Sequence, residues 1–115
     1  MPAIRIYGIA NCDKVRKARS WFAVHGIPAE FHDFRTNGID RTLLARWLGT
    51  GEWSDFLNRA GTTWRRLPEK RRAAVTSRTA AAALMLEFPT VIKRPVIEHA
   101  GKLHVGFDPN DYVRS

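Results

Sequence analysis

Cys12 is the single cysteine of a 115-residue chain. It lies in YGIANCDKVRKARSWF, residues 7–22, where a short apolar run gives way to a helical pattern. A thiol at that junction has two readings. Free cysteine is a small hydrophobe that is often buried and inert. At a helix N-terminus, unpaired backbone N–H groups favour the thiolate and also hold anions. The neighbouring Asp13 carboxylate would oppose a thiolate while suiting the helix dipole, and Lys14 would offset it. The residues alone leave both readings open.

Two further stretches carry arginines in settings that could clamp an anion. In IKRPVI, residues 92–97, Arg94 precedes Pro95. Arg94 either enters a cleft, where a guanidinium binds carboxylate or oxyanion, or faces water. Pro95 suits the start of a strand, where a missing N–H does least harm. A cis bond there would turn the backbone toward a ligand, although most X–Pro bonds are trans. In FLNRAGTTWRR, residues 56–66, Arg59 stands beside a glycine turn and two threonines. It fits an oxyanion site or an ordinary solvated loop. The four histidines, at 25, 32, 99 and 104, show no ligand spacing, so no metal is expected. Glycine-rich phosphate loops, Gly-x-Ser-x-Gly and kinase signatures are missing.

These residues need elements to position them. AIRIY, residues 3–7, reads as a strand ended by Gly8. Asn11 is the expected N-cap of a helix over 12–24, with Val15, Ala18, Trp21 and Phe22 on its apolar stripe. Gly26 and Pro28 stop it, and residues 29–34 form a second strand. Strand, helix and strand with short links make a βαβ unit, which implies a parallel pair and a right-handed crossover. RTNG, residues 35–38, reads as a loop, and Asp40 caps a helix carrying Leu43, Leu44, Trp47 and Leu48. A helical turn over 52–57 and a polar loop over 58–64 follow. Next come a helix over 68–75 with Pro68 in its first turn and an apolar helix capped by Thr79 that stops before Pro89. The last third reads as a hairpin around Ala100-Gly101, with Ile97 opposite His104 and Val96 opposite Val105, then a short helix from Pro109 to Val113.

Composition bounds the function. Apolar residues make up 44% and charged residues 26%, an ordinary globular balance for one domain. One cysteine cannot form an internal disulfide, which fits a reducing compartment or a chain that needs no cross-link. The longest apolar run, AAAALML, has seven residues, too short for a membrane span. The N-terminus lacks a signal-peptide pattern. The expectation is a cytoplasmic, soluble protein that engages no membrane. A net charge of +8 invites anionic partners. Basic residues concentrate at WRRLPEKRR, residues 64–72, yet no base-reading motif accompanies them, so nucleic acid is not the expected partner.

The stretches IYGIANCDKVRKARSWF, FHDFRTNGID, LNRAGTTWRRL, AAALML and VIKRPVI…GKLHVGF, in this order over nearly the whole chain, resemble the arsenate-reductase-like family. That family comprises the ArsC, Spx and YffB-like proteins, and the YffB-like branch is the nearest in pattern. The resemblance implies an α/β, thioredoxin-like fold: βαβ then ββα with a mixed sheet, in one domain over 1–115, with an all-helical insertion at about 40–90. It implies that Cys12 is the nucleophile, that Arg94 and Arg59 bind the anion, and that Pro95 is cis and shapes the cleft. Asn11, with the helix N–H groups, would stabilise the thiolate. The chain departs from the arsenate reductases at two places. It has Gly8 where they tend to carry a histidine, and HVGF, residues 104–107, where they carry a third arginine. Val15 replaces the second cysteine of the Cys-x-x-Cys used by redox-sensing Spx regulators. What the resemblance then implies is a glutathione-dependent reductase with one cysteine. It would act on a small oxidised or oxyanion substrate, take glutathione as co-substrate and hold no bound cofactor. The alternative is an Spx-like regulator that binds RNA polymerase.

Overall fold

The structure, a computed structural model, describes residues 4–112. Ala3 and Val113, assigned above to a strand and a helix, lie outside the described residues. The chain separates into two units, one made of residues 1–33 and 94–115, the other of 34–93.

The first unit holds the sheet. β1 (Ile4–Gly8) runs into α1 (Asp13–Val24), which returns the chain to β2 (Ala29–Asp33). β1 and β2 pair in parallel, from Ile4 opposite Ala29 to Gly8 opposite Asp33. A tight turn cannot join parallel strands, so a crossover helix is obligatory. β3 (Val96–His99) pairs antiparallel with β1, and β4 (Lys102–Val105) antiparallel with β3, giving the order β2-β1-β3-β4. The hairpin register has Ile97 opposite His104 and Val96 opposite Val105, as the two-residue turn requires. Ala100 and Gly101 both have positive φ, 51° and 79°, the conformation a type I′ turn demands. This mixed sheet of βαβ followed by a ββ hairpin is the thioredoxin-like arrangement.

One face of the sheet buries Ile4, Ile6 and Ile97 against Val15, Ala18 and Phe22 of α1. The spacing i, i+3, i+7 on the helix and i, i+2 on the strand are the two periods that make one apolar layer. α1 ends where Gly26, at φ +66°, donates to Ala23 O and Ile27 donates to Phe22 O, a Schellman closure that needs a left-handed residue. Phe107 and Tyr112 stack edge-on against Phe22. The final helix is a single 3-10 turn, Pro109–Asp111, capped by Asp108.

The second unit is helical: α2 (Phe34–Asn37), α3 (Arg41–Leu48), α4 (Thr62–Arg66), α5 (Glu69–Ala73) and α6 (Arg78–Glu87), with 3-10 turns at Trp53–Phe56 and Pro89–Val91. Leu44, Trp47, Leu48, Phe56, Leu57, Ala81, Leu84, Met85, Val91 and Ile92 are buried. Asp40 caps α3 by accepting from Leu43 N–H at 3.0 Å. Residues 56–58, in the middle of the unit, are tied to its last residues by Asn58 N–H to Val91 O and Lys93 N–H to Phe56 O, each 2.8 Å.

Four local expectations are corrected. Of residues 35–38, 35–37 are helical and not a loop, because Phe34 buries its ring and Gly38 N–H closes a helical turn on Phe34 O at 3.0 Å. The loop over 58–64 gives way to α4 at Thr62. The helix after Pro68 stops at Ala73, earlier than its run of helix formers suggested. The cap of α6 is Ser77, whose hydroxyl accepts from Ala80 N–H at 3.2 Å, while Thr79 lies inside the first turn. No helix among the described residues is long and apolar enough to cross a membrane.

Phe22 is 1% exposed and touches both the helix stripe and the C-terminal aromatics. Phe22→Ala should destabilise the protein by about 3–5 kcal/mol, read as a lower urea midpoint at an unchanged m-value.

Candidate active site

The β1–α1 turn positions Cys12. Its N–H donates to Ile9 O at 3.3 Å, and its own carbonyl accepts from Arg16 N–H at 2.9 Å. With φ −101° and ψ 127° it is the N-cap residue of α1. This corrects the expectation for Asn11: the first intrahelical bond starts from Cys12, so Asn11 falls one residue before the cap, where it is exposed. A second anchor had no sequence signal. Asp33, at the end of β2, accepts from Ala10 N–H at 3.3 Å and so fastens the turn to the neighbouring strand. Only the parallel register, which sets Asp33 beside Gly8, reveals that role.

The thiol is half-buried. Partial burial is the largest influence on it and pushes its pKa up. The N–H of Val15, the guanidinium of Arg94 and the N–H of Lys14 act against burial and together outweigh it, so the pKa lies below the ordinary thiol value. The sulfur makes no standard side-chain cap bond to α1. Asp13 turns its carboxylate to Arg16, an ion pair within the first turn.

Arg94 is brought to Cys12 by the strand order, since β3 lies next to β1 and Arg94 stands two residues before it. The Arg94–Pro95 peptide bond is cis. Pro95 O accepts from Gly106 N–H at 2.7 Å, which joins the start of β3 to the end of β4. Arg59 belongs to the helical unit, where it is exposed and its guanidinium sits 5.7 Å from the centre of the Trp64 ring. Within the basic stretch, Arg71 pairs with Glu87 at 2.8 Å and Arg72 donates to the carbonyls of Arg65 and Leu67. Two of its five cations are thus occupied in holding helices. His104 approaches Asp111 at 3.4 Å beside the Tyr112 ring, away from any set of ligands. Among the described residues, no three His, Cys, Asp or Glu side chains are placed to hold a metal ion.

A thioredoxin-like sheet with a cysteine at the N-cap position of its first helix and an arginine before the third strand defines a class of thiol-bearing α/β proteins. Residues 7–114 match the ArsC family, and the chain belongs to it. A solved YffB protein is 45% identical, covering 95% of both chains with a TM-score of 0.88. An arsenate reductase (ArsC) related protein from Brucella melitensis is 50% identical over 96% of this chain and 91% of that one, with a TM-score of 0.77. A relative from Haemophilus influenzae is 39% identical over 95% of each chain. A global transcriptional regulator, Spx 2 of Lactococcus lactis, is 27% identical over 94% of this chain and 82% of its own.

Because the folded thiol ionises more easily than the unfolded one, the group stabilises the fold above the ordinary thiol pKa of about 8.5 and loses that contribution as pH falls through the depressed native value. Stability should therefore rise with pH between those two values in the wild type and stay flat there in Cys12→Ser, as read by urea denaturation from pH 6 to 9. Arg94→Ala should raise the pH midpoint of Cys12 alkylation.

Proposed function

We propose that this protein is a reductase that works through one cysteine and uses glutathione as its second thiol. The observation that carries the reading is the half-buried Cys12 sulfur, whose ionisation is favoured by two helix N–H groups and by Arg94. A thiolate of lowered pKa, still accessible, is the attacking form in thiol exchange. Kinship with the ArsC family and with an arsenate reductase related protein supports the same class of chemistry.

On a mixed disulfide between glutathione and a second thiol, the Cys12 thiolate attacks the glutathione sulfur. A sulfur–sulfur bond forms to Cys12, the substrate's own bond breaks, and its thiolate leaves with the electron pair. The chain has no second cysteine to displace the adduct. A second glutathione thiolate therefore attacks the glutathione sulfur of the adduct, releasing oxidised glutathione and restoring the Cys12 thiolate. Arg94 has two tasks in this scheme. It holds the charge on sulfur before attack and afterwards, and it offers a fork to a carboxylate or oxyanion of the incoming molecule. Asn11, exposed before the cap, is assigned a supporting place at the anion, and Pro95 a place in shaping the wall beside the sulfur. Arg59 is carried as a second anion-binding residue by family resemblance, and Arg59→Ala tests it.

Turnover of a glutathione mixed disulfide, and separately of arsenate, should be followed through glutathione oxidation. Cys12→Ser should fall to the uncatalysed background, and Arg94→Ala should lose about 10²-fold in kcat/KM. Intact-protein mass spectrometry after exposure to oxidised glutathione should find one glutathione on the wild type and none on Cys12→Ser. Wild-type turnover equal to that of Cys12→Ser would end the reading.

The Spx relatives favour one alternative, a regulator that engages RNA polymerase. Capture of purified polymerase by both the wild type and Cys12→Ser, with no turnover by either, would select it.

A further inference from the structure

Gly8, the last residue of β1, has no space for a side chain. A β-carbon built there would stand 2.6 Å from Val15 Cγ2 and 3.6 Å from Cγ1. Backbone freedom is not the reason for the glycine. Its φ is not positive, unlike those of Gly26, Gly38, Gly101 and Gly106, so any L residue could adopt its conformation. The requirement is room.

Neither side of that contact can yield cheaply. Val15 is β-branched, and in a helix such a side chain keeps one strongly preferred rotamer. It is 0% exposed, enclosed with Ile4, Ile6, Ala18, Phe22 and Ile97. Gly8 is held in register with Asp33 of β2, and Asp33 also holds Ala10 N–H. Backing the strand end away would disturb that ladder and the turn carrying Cys12. The remaining response to a side chain at position 8 is displacement of Val15, and with it the first turn of α1. Val15 is also the residue whose backbone N–H acts on the Cys12 sulfur.

We propose that Gly8 is a positioning residue for the Cys12 centre: its missing side chain sets how closely the end of β1 meets the first turn of α1, and so where the Val15 backbone stands relative to the sulfur. The proposal rests on the thiolate reading of Cys12 given above. Gly8 touches no substrate in it and acts only through Val15.

Because Cys12 is the single cysteine, alkylation by iodoacetamide as a function of pH reports on it alone. Circular dichroism follows the fold in parallel. Gly8→Ala is expected to fold with its alkylation midpoint raised by about 0.5–1 pH unit. The double variant Gly8→Ala/Val15→Ala, in which room is restored, should return toward the wild-type midpoint. A folded Gly8→Ala with an unchanged midpoint overturns the proposal, as does a raised midpoint that the double variant fails to lower. Should Gly8→Ala not fold, the double variant decides. Recovery of the fold with a wild-type midpoint supports the proposal, and continued failure to fold overturns it. A wild-type midpoint at the ordinary free-thiol value overturns the thiolate reading and the proposal together, whereas every other outcome leaves that reading standing.

Discussion

Two parallel strands cannot be joined by a tight turn, and much of the first unit follows from that. The crossover must be long enough to climb over the sheet, so it becomes a helix, and its N-terminus must start beside the end of β1. Unpaired N–H groups are then exposed at that point whatever the sequence does there. The residue at the cap feels them most. In this chain that residue is a cysteine, whose side chain gains from a nearby positive dipole only when ionised.

The site's electrostatics are a contest rather than a sum of favourable effects. Burial acts most strongly on the Cys12 sulfur, and it opposes charge. No single group overcomes it. The helix N–H groups of Val15 and Lys14 act together with an arginine whose sequence position is 82 residues away but which leads into β3, the strand next to β1. A thiol more deeply enclosed would stay protonated, and one fully in water would lose the enhancement that a lower local dielectric lends to its neighbours. Half-burial serves both needs.

Much of this was legible in the residues. The alternation of Ile4 and Ile6, the stripe of Val15, Ala18 and Phe22, and the Ala100-Gly101 turn specified the strands, the helix and the hairpin register, because each is a local pattern with one favoured period. The misreadings lie where local signals compete. Asn11 and Cys12 are adjacent, and cap preference alone favours asparagine, yet the bond from Arg16 selects the cysteine. Ser77 and Thr79 compete in the same manner, and the earlier residue caps α6. At Phe34 the polar residues that follow read as loop, but burial of one ring pulls them into a helical turn.

The sequence by itself determined which chemistry was available: one thiol, no partner cysteine, arginines in quantity, and a pattern of strands and helices shared with the ArsC family. Only the tertiary structure decided that Arg94 stands at that thiol, that Asp33 holds the turn, and that Gly8 leaves no space beside Val15. The physical reason is range. Periodicity and capping are set by residues three or four positions apart, whereas the field at a sulfur and the clearance around a β-carbon depend on groups that only sheet pairing brings within a few ångströms.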